Sequence, residues 1–289
     1  MTVTITPLTP VFAGEVGPID LRQVHDRESL EAIRAGMDKY AVLVFRDQRF
    51  TNEEQLDFAQ RFDGTLHART SSSAIGNNRF GNEAIADVSN VDKDGNIRDA
   101  SNRMRASSVG NRLWHTDASF VDPPGRYSML SARVVPPVRA DTEFADMRAA
   151  YDALDEETRA SLEGLRVYHT IVYSRHVLGF DFNDDEKEKL KGAVHPLVRT
   201  IPTSGRRALY LASHAEHIVD MPVPEGRLLL RDLSDHATQR EFTYRHIWQP
   251  HDFVIWDNRC TMHRARPFDD QKHRREMRRT TTLDLPLPA

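Results

Sequence analysis

The sequence predicts an α+β fold in which a closed or stacked β-sheet, of β-sandwich or jelly-roll type, is flanked by helices. Three observations carry this expectation. Short apolar runs such as Ala41-Val42-Leu43-Val44-Phe45 have the length of buried strands. Segments with apolar residues at helical spacing lie beside them behind capping signatures. Finally, the triplet His115-Thr116-Asp117 has a complementary histidine, His263, 146 positions beyond Asp117. Residues so distant meet only if the strands bearing them are neighbours in a closed or stacked sheet, whose mouth can hold a ligand.

In chain order, a helix is expected over about Arg27 to Tyr40, with Leu30, Ile33 and Met37 inward, and then the strand from Ala41 to Phe45. Thr51-Asn52-Glu53-Glu54 is a capping box for a second helix that buries Leu56, Phe58 or Ala59, and Phe62. Residues 64–110 read as loop, because Ser71-Ser72-Ser73, Gly76-Asn77-Asn78 and Asp92-Lys93-Asp94-Gly95 break any sustained period. A stretch this long leading into His115 is expected to be a mobile active-site cover. Two strands joined through Pro136-Pro137 follow between Arg126 and Phe144, then a helix pair, the second capped by Asp155. A strand over Ala208 to Ala212, a long helix from about Glu225 to Trp248, the strand Asp252 to Trp256 that delivers His263, and a last strand over Arg278 to Leu283 complete the reading. Strands alternating with helices could suggest a parallel sheet, but no Gly-rich phosphate loop and no internal repeat accompany them. We read residues 1–289 as one domain.

Composition narrows the function classes. With a formal net charge of −4 and 28% charged residues, nothing points toward nucleic acid. Cys260 is the only cysteine, so no thiolate cluster and no internal disulfide framework can form. No apolar run approaches the roughly 20 residues of a membrane helix, and the start lacks signal-peptide character. A small-molecule-facing cytosolic protein without a membrane partner is expected, with homo-oligomerisation left open.

His115, Asp117 and His263 offer two imidazoles and a carboxylate, a donor set that leaves metal positions open and suits ferrous iron more than structural zinc. On an extended segment His115 and Asp117 point to the same side. The triplet by itself is weak evidence in a chain with 13 histidines and 43 acidic residues. His214-Ala215-Glu216 repeats it, in a stretch that reads as surface. Arg275 and Arg279 would share one face of a strand, Arg274 and Arg278 the other. A basic strand facing solvent, and packed aromatics for Trp114, Trp256, Phe120, Phe180 and Phe182, are the plain alternatives.

The blocks Leu113-Trp114-His115-Thr116-Asp117, Arg126-Tyr127-Ser128-Met129-Leu130-Ser131-Ala132, Asp141-Thr142-Glu143-Phe144, Trp256-Asp257-Asn258-Arg259 and Arg274-Arg275-Glu276-Met277-Arg278-Arg279 stand in one order along nearly the whole chain. Through them the chain resembles the taurine dioxygenase-like family of iron(II)- and 2-oxoglutarate-dependent oxygenases, most nearly its branch that cleaves 2,4-dichlorophenoxyacetate. The resemblance implies a double-stranded β-helix, a distorted jelly-roll, holding Fe(II) on His115, Asp117 and His263. It implies that Thr142 and Arg275 bind the distal carboxylate of 2-oxoglutarate, and that Arg279 grips the acidic group of the primary substrate. Counting from His263 instead would select Arg274 and Arg278, because this chain is one residue longer there; the motif favours 275 and 279. His67 and Asn90 are further candidates for substrate contact. The implied reaction consumes O2 and 2-oxoglutarate, yields succinate and CO2, and hydroxylates a small carboxylate. An aryloxyacetate would collapse to a phenol and glyoxylate. A taurine-type alkylsulfonate is the competing substrate, and a metal- or ligand-binding module without turnover is the competing class.

Overall fold

Apolar strands buried on both faces organise the molecule. The computed structural model describes residues 3–10, 12–68 and 79–286. Its strands are β1 (Ile5–Pro7), β2 (Gly14–Val16), β3 (Val42–Phe45), β4 (Ala86–Asp87), β5 (Gly125–Val134), β6 (Thr142–Asp146), β7 (Arg166–His169), β8 (Ala193–Pro196), β9 (Val198–Thr200), β10 (Arg207–Leu209), β11 (Ala215–Ile218), β12 (Thr243–His246), β13 (Phe253–Asp257), β14 (Thr261–Ala265) and β15 (Glu276–Leu283). The large sheet runs β1-β2-β3-β13-β5-β15-β4, and a smaller one runs β12-β6-β14. Two further small sheets, β11-β7-β8 and β10-β9, complete the set among the described residues.

Alternation along each strand decides which face a side chain takes. Val42, Val44, Leu130, Val254, Trp256 and Met277 of the large sheet pack on Phe144 of β6, forming the sandwich interior. Their neighbours Leu43, Phe45, Met129, Phe253 and Ile255 turn outward against two helices, α1 (Arg27–Tyr40) and α2 (Asn52–Asp63), which supply Ile33, Met37, Phe58 and Phe62. With both faces covered, β3 reads as a continuous apolar run, and each large side chain so buried contributes roughly 1.5–3 kcal/mol. Both helices begin where local capping dictates. Asp26 accepts from Ser29 N at α1, and Thr51 and Glu54 form the expected capping box at α2. On α2 it is Gln55, not Leu56, that is fully buried; its amide donates to the Met129 and Arg278 carbonyls.

Three expectations change. The long helix stops at Ala237, having started at Val223; a short turn follows and Thr243–His246 become β12. Their β-branched and aromatic character suits a strand, and antiparallel pairing with β6 satisfies backbone groups on an edge that would otherwise stand open. His263 lies not on the strand ending at Trp256 but on β14, across a turn in which the Asp257 carbonyl accepts from Cys260 N and Thr261 Oγ1. That turn carries the chain from the large sheet to the small one. Residues 79–110 are more ordered than a loop reading implies: they contain β4, a turn closed by Asp92, and the helix Arg103–Ser108 capped by Asn102. The rest of the expected cover, residues 69–78, lies outside the described residues.

Candidate metal centre and cosubstrate pocket

His115 and His263 are brought together by backbone pairing. Each donates its N–H to the other's carbonyl, at 3.0 and 2.8 Å, which sets their rings 4.1 Å apart. Thr116 points the opposite way and donates to the Leu211 and Thr261 carbonyls, so Asp117 turns back to the side of His115, as extended parity requires. One ligand atom from each of His115, Asp117 and His263 lies within 4.8 Å of the others, and all three residues are buried.

The protonation states fit a divalent metal. His115 Nδ1 is 2.8 Å from the Leu113 carbonyl, which can only accept, so Nδ1 carries the proton and Nε2 keeps a lone pair 3.8 Å from Asp117. Burial pushes the His115 pKa down to about 4, against the opposing pull of Asp117, and burial likewise drives His263 well down. Burial works to raise Asp117, but Arg279, His263 and His115 outweigh it and hold the carboxyl at about 2. Two neutral imidazoles and one carboxylate at a single point are what a metal of this coordination type requires.

Asp117 is oriented by a buried relay. Ser128 Oγ donates to its Oδ2 at 2.8 Å and accepts from Asn258 Nδ2 at 3.0 Å. Asn258 Oδ1 in turn accepts from Trp256 Nε1 and from the Asp117 backbone N–H. The motif containing Trp256 and Asn258 was visible in the sequence, but its part in holding a ligand was not.

Two cavities open on either side of His115. The larger contains Thr142, Arg275, Arg279, Asn90, Leu130 and His263 in its lining. Arg275 reaches it as a buried guanidinium 6.0 Å from the Trp248 ring, and Trp248 donates to Thr142 Oγ1 at 3.0 Å. Burial alone depresses the Arg275 pKa to about 10, and its Nε has no partner. Arg274 and Arg278 face the other way. Both bond the Glu276 carboxylate, which Arg79 also holds. Strand parity thus puts the pair 275 and 279 in the cavity. Asn90 lines the same cavity with its amide already used: it donates to the Asp270 and His273 carbonyls and accepts from Arg275 N.

The smaller cavity is walled by His67, Phe120, Ile171, Arg175, His214 and Arg279, with Asp117 at its base. Arg279 also pairs with Asp117 there. Phe180 and Phe182 stand behind Phe120 in a separate apolar cluster. His214 corrects the surface reading given to its triplet: it is 1% exposed, its ring centroid lies 5.9 Å from that of His115, and Nδ1 is 2.9 Å from Ser174 Oγ. Arg175 gave no sequence signal, because its burial arises from contacts distant along the chain.

Across residues 4–281 the chain matches the model of a family described as taurine catabolism dioxygenase TauD, TfdA family. The chain belongs to this family. An alpha-ketoglutarate-dependent 2,4-dichlorophenoxyacetate dioxygenase of Cupriavidus pinatubonensis is 46% identical, over 98% of this chain and 99% of the relative. An (S)-phenoxypropionate/alpha-ketoglutarate dioxygenase of Sphingobium herbicidovorans is 37% identical, over 92% of this chain and 90% of the relative. The crystal structure of AAD-2 in complex with Mn(II) and N-oxalylglycine superposes with a TM-score of 0.94 at 46% identity, covering all of both chains. The distorted jelly-roll expected from the sequence is the fold of this chain. No helix among the described residues is long and apolar enough to cross a membrane.

Proposed function

We propose that this protein is an Fe(II)- and 2-oxoglutarate-dependent dioxygenase that hydroxylates aryloxyalkanoic acids at the carbon bearing the ether oxygen. The hemiacetal so formed collapses to a phenol and, from an aryloxyacetate, glyoxylate, while 2-oxoglutarate becomes succinate and CO2. The single observation that carries this is the buried His115, Asp117 and His263 set lying between two cavities, each lined by guanidinium. It is supported by relatives named for this chemistry.

His115, Asp117 and His263 would hold the metal, and iron bound there supplies the activation of O2 that couples the two oxidations. Arg275 anchors the distal carboxylate of 2-oxoglutarate through two parallel hydrogen bonds that an ammonium could not reproduce, with Thr142 Oγ1 beside it. His115 and His263 line the same cavity, so the keto acid end would be received beside them. Arg279 holds the anionic group of the primary substrate in the second cavity, against the apolar wall of Phe120 and Ile171. His67 contributes to that wall. Asn90 is assigned to positioning the backbone at Arg275, since its amide bonds are made within the protein. Residues 88–109 wall the larger cavity, where they would help keep water from the bound cosubstrate. We further take the chain to work as one domain over residues 1–289, in the cytosol, with no nucleic-acid or membrane partner.

The test is anaerobic loading with Fe(II) and 2-oxoglutarate, then exposure to O2 with phenoxyacetates, phenoxypropionates or taurine. Succinate matched by phenol supports the proposal. Sulfite from taurine would move the protein to alkylsulfonates, and no substrate-stimulated succinate from any compound would remove the substrate class.

A further inference from the structure

Arg175 is a buried cation that the reaction described above leaves without a task. It is 3% exposed and sits in the wall of the smaller cavity, which Ile171 and His214 also line. Its bonds go to neutral oxygens only: Nη1 donates to Ser174 Oγ at 3.1 Å and Nη2 to Asn111 Oδ1 at 3.2 Å. Nε has no partner. No carboxylate among the described residues forms an ion pair with it, and residues 69–78, Arg-Thr-Ser-Ser-Ser-Ala-Ile-Gly-Asn-Asn, contain no acid that could. The fold nonetheless makes room for it, since a Cβ at Gly110 would overlap the guanidinium. Burial, with repulsion from Arg279 and only partly offset by the attraction of Asp117, lowers the Arg175 pKa to about 10.

A buried charge without a counter-ion is unfavourable unless something compensates it. Asp117, the one carboxylate lining this cavity, is paired with Arg279 and belongs to the metal set. The compensating anion must therefore come from outside the chain. We infer that Arg175 is a second anchor for the acidic group of the primary substrate, which is received between Arg175 and Arg279 rather than by Arg279 alone. The inference rests on the proposed function for the identity of that acid. It adds selectivity: a neutral analogue of the same shape leaves the Arg175 charge uncompensated, so discrimination between acid and amide originates largely at this residue.

The experiment is calorimetric titration of phenoxyacetate and of neutral phenoxyacetamide into protein loaded with Mn(II) and N-oxalylglycine, where no turnover occurs. Wild type is expected to prefer the acid. Arg175→Met should weaken phenoxyacetate by about 10- to 100-fold, the worth of one hydrogen bond to a charged group. It should leave phenoxyacetamide and N-oxalylglycine within about twofold. Gly110→Ala, which removes no charge but displaces the guanidinium, should shift the same ratio in the same direction, and it carries the test if Arg175→Met does not fold. Equal losses for acid and amide would make Arg175 structural, and an unchanged acid affinity would overturn the inference. Should wild type bind taurine or an alkyl sulfate in place of phenoxyacetate, the substrate reading fails and Arg175 is tested on that anion. Binding of none of these acids overturns both.

Discussion

Replacing Arg275 with Met should make the protein more stable and less able to bind 2-oxoglutarate. Arg275 is buried, pairs with no carboxylate among the described residues, and burial lowers its pKa from 12.5 to about 10. A cation with a depressed folded-state pKa destabilises the fold wherever it must stay charged. The penalty is therefore present in full below pH 10 and is relieved only as pH rises from about 10 toward 12.5. At ~1.4 kcal/mol per pH unit the shift corresponds to about 3–4 kcal/mol. Met is neutral but two atoms shorter than Arg, and the space it leaves offsets part of the gain, so the metal-loaded, 2-oxoglutarate-free protein should melt higher by a few degrees, at about 2 °C per kcal/mol for a chain longer than 250 residues. In the same variant two charge-assisted bonds to the distal carboxylate vanish, at roughly 1.5–3 kcal/mol each, so N-oxalylglycine should bind about 10²- to 10⁴-fold more weakly. Thermal denaturation with and without 2-oxoglutarate under anaerobic conditions reads both effects: a higher baseline and no ligand-induced rise. Arg278→Met is the control, because Arg278 is tied to Glu276 on the opposite face of the strand. It should lower the melting temperature and leave the ligand-induced rise intact. Loss of stability in Arg275→Met with ligand affinity unchanged, or transfer of the affinity loss to Arg278→Met, would refute the reasoning.

Asn258→Ala should weaken metal binding about 10- to 100-fold in an anaerobic titration, since it removes the relay through Ser128 to Asp117 and the acceptor for Trp256 Nε1. Asn90→Ala should raise the KM for 2-oxoglutarate while leaving the KM for the primary substrate within about twofold, because the bonds it loses fix the backbone at Arg275. The opposite pattern in steady-state kinetics would return Asn90 to substrate contact. Thr51→Ala should cost about 1 kcal/mol in urea denaturation with no change in ligand affinity, as loss of a helix cap remote from the site predicts.

Local chemistry was legible in the sequence and distant chemistry was not. The helix from Arg27 to Tyr40 has its observed bounds because Asp26, Leu30, Ile33 and Met37 define it within one stretch of chain. The strand at Val42–Phe45 was equally plain, since apolarity on both faces records that both are covered. The helix expected to reach Trp248 failed because the strand character of Thr243–His246 depends on an edge of β6 a hundred residues earlier. In the site, the three metal-ligand candidates and the pair Arg275 and Arg279 stand in recognisable blocks, and strand parity carries the two arginines to the cavity. His214 was misread as surface, Arg175 gave no signal, and the role of Ser128 and Asn258 as a relay did not show, for the opposite reason: polar residues acquire their roles from burial, and that burial comes from elements far away in the chain. Asn90 reads as a contact residue by position, yet its partners Asp270 and His273 lie some 180 residues on.

The bridge between His115 and His263, and the insertion of β15 between β5 and β4, also bear on when the site can exist during synthesis. Nascent chain that has reached Asp117 holds two candidate ligands but no strand to pair with His115. The third candidate ligand follows 146 residues after Asp117, and Arg275 and Arg279 come later still. Contacts of such sequence separation form late, because the loop between them must close first. A growing polypeptide that has not reached His263 lacks one of the three candidate ligands. On the proposed function, metal occupancy would report that the strand segments bearing His115 and His263 have met.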